Sequence, residues 1–493
     1  MGILESFIIL LFFSLCFYLV KVLDKLWWTP IRIQYLMNAQ GIKGPSYRFI
    51  YGNTREISNK KNKAMERTMH LSHDIFSKVQ PHIHDWIKIY GNNFLNWYGP
   101  EPQLCKGYAK KLLGDGLVTS EGEKWSKLRK LANHTFHGES LKRMFPLMVA
   151  GVEVMLGRWK HYEGKEIEVF EEFRLLTSEV ISRTAFGNSY LEGKNIFEMM
   201  MKLTLLTSRN FTKIRFPGIS KFLKTSEEKD SEKLERGIHS VIMAMVKNRE
   251  NKVLTGEVDN FGSDFLGFLV KAHQDDADMD SRISVEDLVD ECKTFYFAGQ
   301  ETTNSLLAWT VALLAIHTDW QEKARKEVLQ SFGQRNPNQD DIGTLKTMTM
   351  IINESLRLYP PVFSLVRSVG REGRVGKLNV PPNTKLYITN LALHHDPQIW
   401  GEDVNHFRPE RFSEGVGRAT NKNTAAYFPF GMGPRTCVGL NFGTNEAKIA
   451  LSMILQRYSF TLSPSYIHSP YQLLTLRPQH GVQIVLSSLY KED

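Results

Sequence analysis

One short stretch limits what this chain can fold into more than any other: Phe430-Gly431-Met432-Gly433-Pro434-Arg435-Thr436-Cys437-Val438-Gly439. Its glycines at 431, 433 and 439 let the backbone lie close to something flat and bulky. Phe430 puts an apolar ring ahead of Cys437, and Arg435 stands two residues before the sulfur. Leu440 to Gln456 reads as a helix, so the cysteine sits just before a helix N-terminus. The dipole and free N–H groups there favour a thiolate over a thiol. A lone cysteine is ordinarily a small buried hydrophobe. These surroundings point instead to a thiolate facing a flat macrocycle, an axial ligand to haem iron, with Arg435 placed to meet a propionate.

The spacing F-x-x-G-x-R-x-C-x-G, carried by Phe430, Gly433, Arg435, Cys437 and Gly439, resembles the haem-binding loop of the cytochrome P450 superfamily. That resemblance implies a mainly α fold with small β-sheets, one large catalytic domain and haem b as cofactor. Further stretches carry it along the chain. A helix capped by Ser284 is predicted to run to about His317, longer than an ordinary globular helix. In its middle stands Ala298-Gly299-Gln300-Glu301-Thr302-Thr303, where a glycine costs about 1 kcal/mol relative to alanine. A widened or kinked turn beside a ligand would account for it. The stretch resembles the superfamily's oxygen-activating motif, which implies catalytic roles for Glu301 and Thr302 and a place for Ala298 at the substrate pocket.

Trp125 and Arg129 lie four apart, on one helical face. The resemblance assigns both to the haem propionates, together with Arg367. Glu354 and Arg357 can pair at i,i+3. With Arg411, in Phe407-Arg408-Pro409-Glu410-Arg411-Phe412, they match the superfamily's structural triad. Val362, Phe363, Ser364 and Leu365 would line an apolar pocket bearing one hydroxyl. Leu393-His394-His395-Asp396-Pro397 and Trp400-Gly401-Glu402-Asp403 look like plant enzymes acting on isoprenoid and hormone skeletons.

The N-terminal end constrains location. Ile3 to Leu23 is almost uniformly apolar and as a helix would measure roughly 31 Å, matching a hydrocarbon core of about 30 Å. Lys21, Lys25 and Arg32 follow its apolar run from Phe7 to Val20, which places the rest of the chain on the cytosolic side. The expected organisation is therefore a single-pass anchor at 3–23, a basic Pro/Gly connector at 24–53 and a catalytic domain at 54–493. For the family, that implies the endoplasmic reticulum membrane.

A net charge of +9 suits an anionic membrane or an acidic partner, and no basic tract interleaved with aromatics argues for nucleic acid. Four scattered cysteines form neither a disulfide framework nor a zinc site. The histidines at 70, 73, 82 and 84 read as surface or packing residues. No GxGxxG-type dinucleotide loop occurs, so electrons must come from outside; the resemblance implies NADPH–cytochrome P450 reductase, with O2 and a small apolar substrate.

Smaller expectations are a strand at Asn93 to Tyr98, a hairpin from Leu378 to Thr389 around Pro381-Pro382-Asn383, and two short strands between Leu474 and Leu486. Between Tyr98 and Trp125 the chain is shorter than the family pattern by roughly twenty to thirty residues. The leading expectation is a membrane-anchored haem-thiolate monooxygenase. The alternatives are a haem-thiolate isomerase or dehydratase, and a haem-binding variant without catalysis.

Overall fold

The computed structural model describes residues 2–97, 107–210, 224–274 and 282–490. The helices that position the site are numbered in chain order: α1 (Ile3–Leu23), α2 (Thr29–Asn38), α3 (Gly122–Phe136), α4 (Val169–Phe186), α5 (Val285–Ile316), α6 (Lys346–Leu358) and α7 (Leu440–Arg457). The apolar first segment forms one 21-residue helix, and its most apolar window is not buried against the rest of the protein. A helix this long and apolar, with most of its described residues exposed, is consistent with a membrane anchor.

The stretch expected as a connector, 24–53, is helical to Asn38 and turns and coil from there to residue 53, where Gly41, Gly44-Pro45 and Gly52 lie. One π-type turn, Asp24–Trp28, carries α1 directly into α2. Pro30 falls within this continuous helical path, and the Leu26 carbonyl that its missing N–H leaves open accepts the Tyr47 hydroxyl. Trp27 then packs edge-to-face on Tyr47 and Phe49, tying the anchor's exit to the domain.

Helix α5 is the axis of the domain. Ser284 starts it with a reciprocal cap: its hydroxyl accepts the Asp287 N–H at 3.0 Å, and the Asp287 carboxylate accepts the Ser284 N–H at 3.2 Å. The helix runs 32 residues, on the order of 48 Å, buried along most of its length. Phe295 stacks on Phe136 of α3 at 5.1 Å, and Tyr296 stacks on Phe186 of α4 at 3.8 Å. The turn around Gly299 stays α-helical. A Cβ there would come within 2.6 Å of Ile181 Cδ1 on α4. Close passage of two helices, rather than a widened turn, is what requires the glycine.

Strands are few. The sheet β1 (Glu166–Glu168), β9 (Gln483–Ser488) and β6 (Tyr458–Leu462) is antiparallel with β9 in the middle. Three two-stranded pairs complete the set: β2 (Leu365–Ser368) with β5 (Lys385–Ile388), β3 (Gly373–Val375) with β4 (Leu378–Val380), and β7 (Pro470–Gln472) with β8 (Leu476–Pro478). The expected hairpin across Pro381-Pro382-Asn383 is therefore split, since β4 and β5 take different partners. Consecutive prolines lack the N–H groups a ladder needs, and Asn383 turns the chain at a φ of 64°. Asn383 N–H then reaches Val369 O, so β5 lies along β2. Both strands expected in the tail form, but β8 pairs with β7 and β9 with β1 and β6.

Residues 93–97 form no strand. Their backbone is instead tied to the loop before the domain: Leu95 N–H to Lys43 O at 2.9 Å and Asn53 N–H to Trp97 O at 2.6 Å. Residues 98–106, which open the shortened region, lie outside the described residues.

The Glu354–Arg357–Arg411 network forms as expected from the sequence. Arg357 grips Glu354 with two bonds of 2.8 Å, both side chains being fully buried. Arg411 Nε lies 3.5 Å from the same carboxylate, and its other nitrogens hold Asp403 and the Trp400 carbonyl. Next to Glu354, the Asn353 carbonyl accepts the Tyr427 hydroxyl at 2.9 Å. The network therefore reaches the loop that leads to Cys437.

Candidate active site

Between α5, α7 and the 429–439 loop lies a cavity of about 340 Å³. Cys437 opens into it, as do Phe430, Gly431, Arg435 and Gly439 from the same loop. The loop closes on itself through Cys437 N–H to Phe430 O at 2.8 Å. Gly433 does not reach the cavity; a positive φ of 78° ahead of Pro434 explains it as a turn residue. Helix α7 begins at Leu440, as the sequence suggests. Burial pushes the Cys437 thiol up, while the Gly439 N–H and the Arg129 guanidinium pull the other way. Coordination to a metal would remove that proton outright.

Three guanidiniums converge on the cavity: Arg129 from α3, Arg367 from β2 and Arg435. Arg129 donates to the Thr436 carbonyl at 2.5 Å, and Arg435 to the Ser120 carbonyl at 2.6 Å. Arg435 also lies over the Trp125 ring, 4.8 Å from its centroid. Among the described residues none of the three pairs with a carboxylate, and Arg435 is pushed down by burial and then by Arg367. Cations crowded together in partly buried space call for an anion. A thiol, small loop residues and three unpaired guanidiniums fit a planar dianionic macrocycle such as haem, with Cys437 at the metal and the arginines at its carboxylates.

The far wall comes from one face of α5. Thr294, Ala298, Thr302 and Leu306, spaced by four, all line the cavity, with Phe295, Gly299 and Thr303 beside them. The Thr302 hydroxyl donates to the Ala298 carbonyl at 2.9 Å, which leaves its oxygen free to accept. Glu301 belongs to a different face. Glu301, Ser305 and Trp309, again spaced by four, face the β7–β8 pair. Arg477 and Thr475 hold the Glu301 carboxylate, while Ser305 and Trp309 donate to the Leu476 carbonyl at 2.5 and 3.4 Å. The carboxylate expected beside the reacting centre is instead a buried, paired one outside the cavity lining.

Val362 and Leu365 line the cavity, whereas Phe363 is packed in the core outside it. Ser364 does not line the cavity either; it donates to Tyr387 Oη at 2.7 Å. The hydroxyls facing the cavity are those of Thr294, Thr302, Thr303 and Thr436. Thr294 was findable, lying one helical turn before Ala298.

A glycine-bearing loop the sequence did not single out forms another wall through Leu117 and Val118. It lies directly on α5. Asp115 N–H donates to Asp290 at 2.8 Å, Leu117 N–H to Glu291, and Thr294 donates to the Leu113 carbonyl at 2.8 Å. A Cβ at Gly114 would sit 2.2 Å from Asp290, and one at Gly116 2.5 Å from Thr294 Oγ1. Burial pushes the Glu291 carboxyl up to about 8, against the pull of the Leu117 N–H. Among the histidines, His73 is buried against Tyr359 at 2.9 Å, and no group of three metal-ligating side chains occurs among the described residues.

The family profile described as Cytochrome P450 matches residues 98–484. The chain is 57% identical to cytochrome P450 CYP749A22 of Panax ginseng over 504 aligned positions, covering 97% of this chain and 96% of that protein. That alignment is longer than the 493-residue chain, so the relative has residues this chain lacks. The 7-deoxyloganic acid hydroxylase of Catharanthus roseus is 37% identical, covering 98% of this chain and 99% of its own length. In fold, the chain matches the haem domain of cytochrome P450DA with a TM-score of 0.69 at 24% identity, covering 79% of this chain and 83% of that one.

Proposed function

The chain belongs to the cytochrome P450 family and is a haem monooxygenase, and from that premise we propose that it hydroxylates a small apolar substrate of isoprenoid or hormone type. In this reading it draws electrons from an NADPH-dependent flavoprotein reductase and is held by α1 in the endoplasmic reticulum membrane. The catalytic domain, 54–493, faces the cytosol. The observation that carries the reading is the convergence of Cys437, three unpaired guanidiniums and Thr302 on one cavity.

When bound, haem supplies the activation of O2 and the insertion of one oxygen atom into a C–H bond. The rest falls to the chain. With the cofactor bound, Cys437 would give up its proton and hold the iron through sulfur. Arg129, Arg367 and Arg435 hold the two propionates, with Trp125 steadying Arg435 from its face. Phe430, Gly431 and Gly439 form the bed for the ring. Thr302 accepts a hydrogen bond from a water and fixes it over the reacting side, so that a proton stands ready there. Leu117, Val118, Phe295, Leu306, Val362 and Leu365 exclude bulk water and hold the substrate by apolar contact. The relative named as a hydroxylase of 7-deoxyloganic acid supports the reaction class, and an apolar lining with few hydroxyls supports the substrate class.

The test is reconstitution with reductase, NADPH and 18O2, using plant isoprenoids selected by their spectral shifts on binding. Incorporation of one 18O atom per product is expected. Turnover of hydroperoxides without reductase, and no 18O from O2, would replace this reading with an isomerase or dehydratase.

A further inference from the structure

A second set of titratable groups lies outside the cavity, where residues 72–75, the ends of α5 and α6 and the segment before β7 meet. His73, Tyr359, His468 and Trp309 are buried there, and His317, just past α5, is half-buried. Their hydrogen bonds run in one consistent direction. The Ser72 carbonyl can only accept, so His468 carries its proton on Nε2, 3.0 Å from that oxygen, while its Nδ1 accepts the Tyr466 hydroxyl at 2.8 Å. His468 Nε2 therefore has no lone pair for the Tyr359 hydroxyl, 3.5 Å away. That hydroxyl donates instead to His73 Nδ1 at 2.9 Å. His73 then carries its own proton on Nε2 and directs it at His317 Nε2, 3.2 Å on. Burial pushes His73 down to about 3 and lowers His317 as well, so both imidazoles are neutral and able to accept a proton. It also drives the Tyr359 phenol well above its ordinary range, so the phenol is protonated at rest.

The same phenol stands close behind the cavity wall. In the chain it falls between Leu356 and Pro361, which both line the cavity. Trp309, one turn after the lining residue Leu306, stacks on the Tyr359 ring at 4.4 Å. A phenol loses an electron far more readily when a base takes its proton in the same step. We infer that Tyr359, with Trp309 on its face and the His73–His317 pair behind its hydroxyl, is a redox relay that discharges the oxidised active centre when no substrate is there to react. The inference rests on the haem monooxygenase activity and is independent of the substrate class proposed above. In the step, one electron leaves Tyr359, through the Trp309 ring or directly, and reduces the oxidised haem by one electron. The Tyr359 O–H bond breaks, and its proton forms an N–H bond at His73 Nδ1. His73 Nε2 gives its own proton to His317 Nε2, and half-buried His317 returns one to solvent. A neutral phenoxyl radical is left at Tyr359. A thiol or ascorbate-type one-electron reductant from solvent restores the electron, and a proton comes back along the same path.

The test uses the haem-loaded full chain without substrate, mixed with peracetic acid and frozen within milliseconds for electron paramagnetic resonance. The wild type should give an organic-radical signal whose splitting collapses in protein grown on ring-deuterated tyrosine, and the signal should form more slowly in D2O. In Tyr359→Phe, which keeps the stacked ring, the tyrosine signal should fall several-fold and the haem should bleach several-fold faster. In His317→Gln, which keeps the phenol and removes the second base, the radical yield should also fall several-fold. The reduced carbon monoxide spectrum checks that each variant is loaded. If Tyr359→Phe fails to load haem, His317→Gln decides. A wild type without a tyrosine radical, a full-strength signal in loaded Tyr359→Phe, or an unchanged yield in loaded His317→Gln would overturn the inference. Peracetic acid replaces O2 and reductase, so a chain that shows the Tyr359-dependent radical but incorporates no oxygen from O2 would support the relay while refuting the hydroxylation reading.

Discussion

At the scale of the residue, Glu291 is the titrating group whose effect has a definite sign. Its carboxyl is raised to about 8 in the folded chain, chiefly by burial. A raised acid stabilises the fold fully below the ordinary carboxylate range, and that contribution is lost as pH climbs through the folded value. Replacing it with glutamine keeps an oxygen for the Leu117 N–H and removes the ionisation. The thermal midpoint of Glu291→Gln should therefore gain on the wild type between about pH 5.5 and pH 8. A difference between the two proteins that stays constant across that range would contradict the assignment. The same residue shows where sequence reading stops. Cys437, Arg435 and Phe430 could be read because they are close in the chain and fixed in spacing. Glu291 gains its meaning from a loop about 175 residues away, and no local pattern announces it.

At the scale of the element, α5 was legible in its length, cap and cavity-facing threonine, and it was misread at one turn. Glu301 and Thr302 are neighbours in sequence and about 100° apart around the helix, so they serve different surfaces. Thr302 faces the cavity, and Glu301 pins the β7–β8 pair through Arg477. Removing one member of a buried ion pair costs about 3–5 kcal/mol, because the other is left charged without a partner. Glu301→Gln should lower the unfolding free energy by that order, read as a lower thermal midpoint, and Glu301→Leu combined with Arg477→Leu should recover much of it. Additive losses in the double variant would show that the two residues are not coupled. Gly299 teaches a related lesson. A glycine in a helix announces that something comes close, but not whether it is a ligand or the neighbouring Ile181. Overfilling that contact costs about 1–3 kcal/mol, so Gly299→Ala should be destabilised by this amount and eased by Ile181→Ala. No easing would mean that the crossing is not what demands the glycine.

At the scale of the whole molecule, the first helix and the body that follows are built differently. Helix α1 is apolar and unburied, while the body carries its own core around α5. A chain starting at Thr29 should keep its haem and lose resistance to alkaline extraction from membranes; retained resistance would mean that the body itself is embedded. Exposed Ile31, Tyr35, Leu36 and Phe49 remain on such a chain, so a loose, detergent-sensitive association is expected to persist. The central claim is that Cys437 holds the haem iron as a thiolate, and the carbon monoxide difference spectrum of the reduced protein tests it most directly. The wild type should show the strongly red-shifted Soret band of a thiolate-bound haem, and Cys437→Ser should lose it. A wild type without that band, or a serine variant that keeps it, would contradict the account.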